Sequence, residues 1–110
     1  MSIEDYMSPG IYDVMKVLEA RKRIPILLLL KEKGRMKISD FYVLVPEKTG
    51  SGSQTTIREA LSDLVKVGLV KTIVRDEARE WVDYELTDLG RKVADKISEI
   101  IAAIKRSQAK

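Results

Sequence analysis

Ser53, Gln54, Thr55, Thr56 and Arg58 stand close together at the head of the stretch SQTTIREALSDLVKVGLVKTIVRDEAREWVDYELT, residues 53–87. All five are hydrogen-bonding side chains, and most are short. Side chains of this kind can read the edges of nucleic-acid bases. A glutamine such as Gln54 can pair with adenine through two hydrogen bonds, and an arginine such as Arg58 with guanine. The methyl of Thr55 or Thr56 can meet that of thymine. Glu59 could accept from cytosine, but it could equally repel phosphate or pair with Arg58. The bland alternative is an exposed polar face with no partner.

Such side chains are useful only if a rigid element presents them. Ile57, Leu61 and Leu64 recur at helical spacing, which predicts a helix over residues 53–67. Thr55, Thr56, Arg58, Glu59, Ser62 and Lys66 fall on its other faces. Gly68 follows the last apolar turn and suits the left-handed residue that closes a helix. Two strands come next, residues 69–75 and 80–86, where the period shortens to about two. In the second, Val82, Tyr84 and Leu86 should face inward while Trp81, Asp83 and Glu85 face out. At the hairpin tip, Arg75 or Arg79 could enter a minor groove. Three acids among residues 75–80 oppose that, leaving open a hairpin that only braces the fold. Trp81 reads as a packing residue, on this chain or against a partner subunit, because one aromatic makes no base-stacking platform.

Gly50, Ser51, Gly52 and Ser53 precede the polar helix. Their N–H groups and hydroxyls suit a phosphate at a helix amino terminus, although a plain flexible turn fits as well. The Gly-Lys-Ser/Thr ending of a nucleotide-binding loop is missing.

Upstream, Ser8 and Pro9 can open a helix over residues 8–20, lined on one face by Ile11, Val14, Met15 and Leu18. Pro25 disfavours helical geometry at Ile24. A second helix is expected from Pro25 to Lys33, apolar nearly all round and therefore central, with Gly34 closing it. Met36 to Ile38 could form a short strand that pairs with the hairpin. Ser39 should cap a helix that Pro46 limits, and residues 47–52 should be a turn. Thr87 can cap a final helix, residues 88–107, carrying Leu89, Val93, Ile97, Ile100, Ile101 and Ile104. The 93–97–100–104 spacing is that of a helix-pair seam. Together with Ile11, Val14, Met15 and Leu18 it predicts a dimer interface, the alternative being that both helices fold back on their own core.

A chain of 110 residues with 45% hydrophobic content has room for one core, so one domain is expected. Within it, residues 8–20, 21–87 and 88–107 form successive parts. The net charge of +3 is unevenly spread. Residues 1–20 balance at −3 and residues 76–110 at −1. Residues 21–75 hold twelve basic against five acidic side chains, a balance of +7. That excess coincides with the polar helix, as a phosphate-facing surface requires, though a solvated basic face would also account for it.

The chain has no cysteine, histidine or asparagine. Thiol metal or redox sensing, and catalysis by His or Cys, are therefore excluded. Pairs such as Asp76/Glu77 and Asp83/Glu85 lie on the hairpin with no nucleophile, so no enzyme, cofactor or metal site is expected. Lacking Asn and Cys while rich in Lys, Glu and Ile fits a heat-adapted source. The run Ile24–Leu30 is too short to cross a membrane, and the first ten residues carry acids where a secretory signal would be basic. A cytoplasmic, nucleoid-associated protein is expected.

Three segments resemble the winged helix-turn-helix regulators of the MarR, PadR and ArsR type, especially their small archaeal relatives. They are RKRIPILLLLKEKG (21–34), TIREALSDLVKVGLV (56–70) and YELTDLGRK (84–92). The resemblance implies an α+β, mainly α fold with a two- to three-stranded wing sheet between flanking dimerisation helices. It also implies that the helix at 53–67 enters the major groove while the wing flanks it. Ser53, Gln54, Thr55, Thr56 and Arg58 then read DNA, with Arg79 on the wing. The chain departs from the pattern in its short acidic wing tip, in Arg79 lying about one position off the usual wing arginine, and in lacking metal-sensor ligands.

The expected function is a homodimeric, sequence-specific transcription regulator on double-stranded DNA, independent of membranes. Its DNA-contacting residues should be Ser51, Ser53, Gln54, Thr55, Thr56, Arg58, Ser62, Arg75 and Arg79. An architectural chromatin-type binder is the nearest rival, and a winged-helix protein-interaction module a more distant one. A cleft between the wing domains and the dimer helices could hold a small apolar effector, but no cluster of residues announces one.

Overall fold

Leucines 27–30 form the middle of helix α3 (Arg23–Lys33), against which most of the other elements pack. The computed structural model describes residues 2–109. Among them, in chain order, are α1 (Ile3–Met7), α2 (Pro9–Glu19), α3, β1 (Arg35–Lys37), α4 (Ile38–Thr49) and α5 (Gln54–Lys66). Then come β2 (Val70–Asp76), β3 (Trp81–Leu86) and α6 (Asp88–Gln108). Ile26, Leu27, Leu29 and Leu30 of α3 are buried against Phe41 and Val45 of α4 and against Ile57, Ala60, Leu61 and Leu64 of α5. Leu69, Val70, Leu86 and Ala94 close the core. Removing such apolar area from water contributes about 25 cal/mol per Å².

The three strands form one antiparallel sheet in the order β1-β3-β2. Met36 of β1 and Thr72 of β2 both lie opposite Tyr84 of β3. The Tyr84 ring meets Phe41 edge to face, with centroids 5.9 Å apart, and so fastens the sheet to α4. Helices α3, α4 and α5 with this sheet are a winged helix-turn-helix, mainly helical, as the sequence leads one to expect.

Five local expectations need correction. Helix α1 has no counterpart in the sequence reading; it folds onto α2, where the Tyr6 hydroxyl donates to Glu19 at 3.0 Å. Helix α3 begins at Arg23 rather than Pro25, because a proline in the first turn loses only an N–H that would lack a helical partner anyway. The short strand spans Arg35–Lys37, not Met36–Ile38. Ser39 does not cap α4, since the Asp40 carboxylate reaches back to the Lys37 N–H at 3.3 Å and starts the helix at Ile38. Pro46 does not limit α4, which runs on to Thr49 and ends at left-handed Gly50. Its Gly50 N–H donates to the Pro46 carbonyl at 2.8 Å. The N–H that Pro46 lacks leaves the Tyr42 carbonyl without its helical donor, and the Thr49 hydroxyl donates to the Val45 carbonyl at 2.7 Å.

On β3 the expected alternation is partial. Leu86 is buried, Val82 and Tyr84 are half-buried and Trp81 is exposed. Asp83 and Glu85, expected to face solvent, are half-covered. Arg75 lies on Asp83 at 3.0 Å, and Arg35 and Lys71 both reach Glu85 at 3.4 Å.

Candidate nucleic-acid interface

Helix α5 is amphipathic in the sense its sequence demands. Ile57, Ala60, Leu61 and Leu64 are buried, while Gln54, Thr55, Arg58, Glu59, Ser62 and Lys66 are exposed. Its first turn is secured locally. The Ser53 hydroxyl accepts from the Thr56 N–H at 3.1 Å and donates to the Thr56 hydroxyl at 3.0 Å. Ser53 and half-buried Thr56 are thus engaged with each other. Thr55, Arg58 and Ser62 face outward on one side of the helix. No ion pair among the described residues engages Arg58 or Glu59.

The far end of α5 is held from behind. Arg23 is the one buried charged side chain among the described residues. Its guanidinium pairs with Asp63 on α5 and donates to the Arg21 carbonyl at 2.7 Å. The exit of α5 is closed by left-handed Gly68, where the Leu69 N–H returns to the Leu64 carbonyl at 3.0 Å.

Beside the outward face runs a groove of about 630 Å³. It is lined by Leu61, Val65, Thr72 and Tyr84 together with Arg58, Ser62 and Lys66. Burial pushes the Tyr84 hydroxyl above the ordinary tyrosine range, with a smaller contribution from nearby Tyr42.

The wing carries two arginines in an arrangement the sequence does not reveal. The β2–β3 register shifts between Val74 and Asp76, so that Val74 faces Val82, Asp76 faces Trp81 and Arg75 has no partner across the ladder. Arg75 and Arg79 both lie over the Trp81 ring, with guanidinium carbons 4.9 and 4.8 Å from its centroid. Arg79 reaches Asp76 at 3.7 Å, and Arg75 pairs with Asp83. Trp81 is therefore a seat for guanidinium groups. At the tip, Asp76 holds Arg79 as well as offsetting its charge.

Ser51 lies outside α5, in the turn before it. Its hydroxyl accepts from the Lys22 ammonium at 3.0 Å. Lys22 itself escapes a reading of the sequence, since nothing in RKRIP says that it reaches a turn 29 residues on.

The apolar residues expected at a dimer interface separate into two groups. Val14, Leu18, Val93 and Ile97 pack partly against this chain's own core. Ile11, Ile100, Ile101 and Ile104 are exposed. An apolar groove of about 330 Å³ runs between them, bordered by Met15, Leu18, Val93, Ile97 and Ile100.

A helix-turn-helix whose second helix presents a polar face, followed by a β-hairpin wing, is the architecture of the winged-helix regulators. Residues 12–105 match the pattern of the methanogenesis regulatory protein FilR1, N-terminal domain, and the chain belongs to that family. Solved structures of similar fold include the reduced form of the transcriptional regulator YodB from B. subtilis. That likeness has a TM-score of 0.64 and 22% identity, over 87% of this chain and 89% of that one. A transcriptional regulator homologue from Pyrococcus horikoshii OT3 has a TM-score of 0.68 and 19% identity, over 94% of this chain and 100% of that one. The transcriptional regulator HlyU from Vibrio vulnificus CMCP6 has a TM-score of 0.62 and 21% identity, over 91% and 98% of the two chains. At such identities the likeness concerns the fold. No protein of curated function matches the sequence. Among the described residues no helix is long and apolar enough to cross a membrane.

Proposed function

We propose that the protein is a sequence-specific, DNA-binding transcription regulator that acts as a homodimer, with α5 in the major groove of each half-site. The observation that carries this reading is the outward face of α5. Thr55, Arg58 and Ser62 stand exposed there on a helix whose opposite face is anchored in the core. Gln54 and Arg58 supply two-point contacts to bases, and Thr55 supplies a methyl. Ser51, Ser53 and Thr56 serve the turn and first turn of α5, where backbone N–H groups meet phosphate. Arg75 and Arg79, stacked on Trp81, approach the neighbouring minor groove. Two-fold symmetry then spaces the two α5 helices about 34 Å apart, one DNA turn. The exposed isoleucines of α6 and the groove beside α2 form the dimer contact. The protein works in the cytoplasm on the nucleoid.

Selection of bound duplexes from a random pool tests this reading. One recovered motif with two-fold symmetry supports it, and uniform retention of all sequences would mark an architectural binder instead. Arg58→Ala should then weaken the selected duplex by about 1–3 kcal/mol and relax preference at one position. Equal loss on random DNA counts against base reading by Arg58. Failure to retain any duplex at low salt overturns the assignment.

A further inference from the structure

Two residues other than glycine adopt the left-handed backbone region among those described, and one of them is Lys22, with φ 68°. It sits immediately before α3, at a place where glycine would be at ease and a lysine is strained. Strain at a single residue invites the question of what its side chain does there. The Lys22 ammonium donates to the Thr49 hydroxyl at 2.8 Å and to the Ser51 hydroxyl at 3.0 Å. It thereby joins the start of α3 to the turn between α4 and α5. Its stem passes beside that turn: a Cβ added to Gly52 would lie 3.8 Å from the Lys22 Cε.

That turn has little else to fix it. Gly50 and Gly52 both have positive φ, 86° and 143°, so its backbone is drawn from the most permissive residues available. The Thr49 hydroxyl is placed to donate to the Val45 carbonyl at 2.7 Å or to the Ser51 carbonyl at 2.8 Å. Both alternatives stay within the neighbourhood of the turn. Among the described residues, the hydrogen bonds from Lys22 are the ones that tie it to a distant element. One residue past the turn, Ser53 caps α5, and Gln54 and Thr55 begin the proposed reading face.

We propose that Lys22 is a positioning residue for DNA recognition: its ammonium clamps the Thr49–Ser51 turn and so sets the pose from which Gln54, Thr55 and Arg58 meet base edges. This rests on the DNA-binding reading given above. Lys22 combines a left-handed backbone with two hydrogen bonds to the turn, and the ammonium is what a glycine there would forfeit.

Lys22→Gly is the informative variant, because it suits the backbone while removing the clamp. It should melt no lower than the wild type. Amide exchange at residues 51–56 should accelerate several-fold. Affinity for the duplex selected by the wild type should fall about tenfold, while affinity for random duplex changes little. The slope of log K against log salt should stay the same, since a positioning residue releases no counterion. Lys22→Gln, which keeps a neutral donor on a stem one atom shorter, should lie between the wild type and Lys22→Gly. A parallel fall on both duplexes with a slope reduced by about one would make Lys22 a phosphate contact and overturn the proposal. So would unchanged exchange at residues 51–56, or an unchanged preference for the selected duplex. A wild-type protein that retains no duplex overturns the DNA reading itself, a result distinct from wild-type binding that Lys22→Gly leaves intact.

Discussion

A Cβ built on Gly90 would stand 1.9 Å from the carbonyl oxygen of Leu69. The first turn of α6 therefore rests directly on the backbone where α5 gives way to β2. Thr87 reinforces this contact. Its N–H donates to the Leu69 carbonyl at 3.1 Å, its hydroxyl donates to the Gly68 carbonyl at 2.6 Å, and the same hydroxyl accepts from the Gly90 N–H at 2.9 Å. The obstacle to a side chain at position 90 is main chain, which cannot rotate aside. Gly90→Ala should cost about 3 kcal/mol, at the upper end of the overpacking range, measured as a lower urea midpoint with an unchanged m-value. A midpoint equal to the wild type would show that α6 lifts away freely.

Arg23 and Asp63 predict an order of stabilities. The guanidinium is buried, its Nε has no partner, and its charge is met by Asp63, which is itself about two-fifths exposed. Asp63→Ala would strand a buried charge, whereas Arg23→Met would replace the charged group by an apolar one of similar length. Removing one member of such a pair costs more than replacing the charged group by a well-packed apolar one. Asp63→Ala is expected to lose about 2 kcal/mol, the scale of a hydrogen bond to a charged group left unmade. Arg23→Met should lose less. The reverse order in chemical denaturation would mean that the ion pair contributes net attraction beyond its desolvation cost.

How much of this was legible in advance depends on the range of each interaction. Ile57, Leu61 and Leu64, with Ser53 before them and Gly68 after, define α5 within sixteen residues, and the helix lies where that pattern puts it. Thr87 caps α6 for the same local reason. Asp40 reaching back to Lys37 is also local, but Ser39 offered a competing cap and the carboxylate prevailed. The Lys22 clamp and the Arg23–Asp63 pair span 27 to 40 residues, so no window along the chain contains both ends. The bulge that frees Arg75 depends on which residues pair across the hairpin, and alternation alone leaves that register open. Of the face proposed to read bases, Thr55, Arg58 and Ser62 stand exposed in line with their spacing. The mutual engagement of Ser53 and Thr56 needed coordinates.

Tyr84 gives the fold an alkaline limb. Burial raises its hydroxyl above the ordinary range, so the folded protein favours the neutral phenol more than the unfolded chain does. The resulting stabilisation is complete below the unfolded value of about 10 and is lost as pH rises through the folded value. Between about pH 9 and 11 the wild type should therefore lose stability more steeply than Tyr84→Phe, compared by urea midpoints so that lysine titration, common to both, cancels. Parallel curves would show that the phenol ionises as easily in the folded groove as in the unfolded chain.

The last prediction concerns the end of α6. Lys31 holds this helix to α3 through Asp95 at 3.2 Å and Ser98 at 2.9 Å. From Glu99 to Gln108 the helix extends about 15 Å further, at 1.5 Å per residue. The apolar seam changes character at the same point. Val93 and Ile97 pack partly on the core, whereas Ile100 and Ile104 are 60% and 52% exposed. Core packing therefore accounts for the first half of the seam and leaves the second half needing another surface. In the proposed homodimer, a second copy of α6 related by a two-fold axis would supply matching spacing at both ends. Because Ile100 and Ile104 contribute little to the core of one chain, charging them should spare the fold, within about 0.5 kcal/mol. Ile100→Glu combined with Ile104→Glu should convert a dimer to a monomer in sedimentation equilibrium while leaving helical content unchanged. Such a monomer should bind a single half-site weakly and lose preference for the paired site. A wild type that sediments as a monomer, or a variant that stays dimeric, would place the subunit contact elsewhere than on this seam.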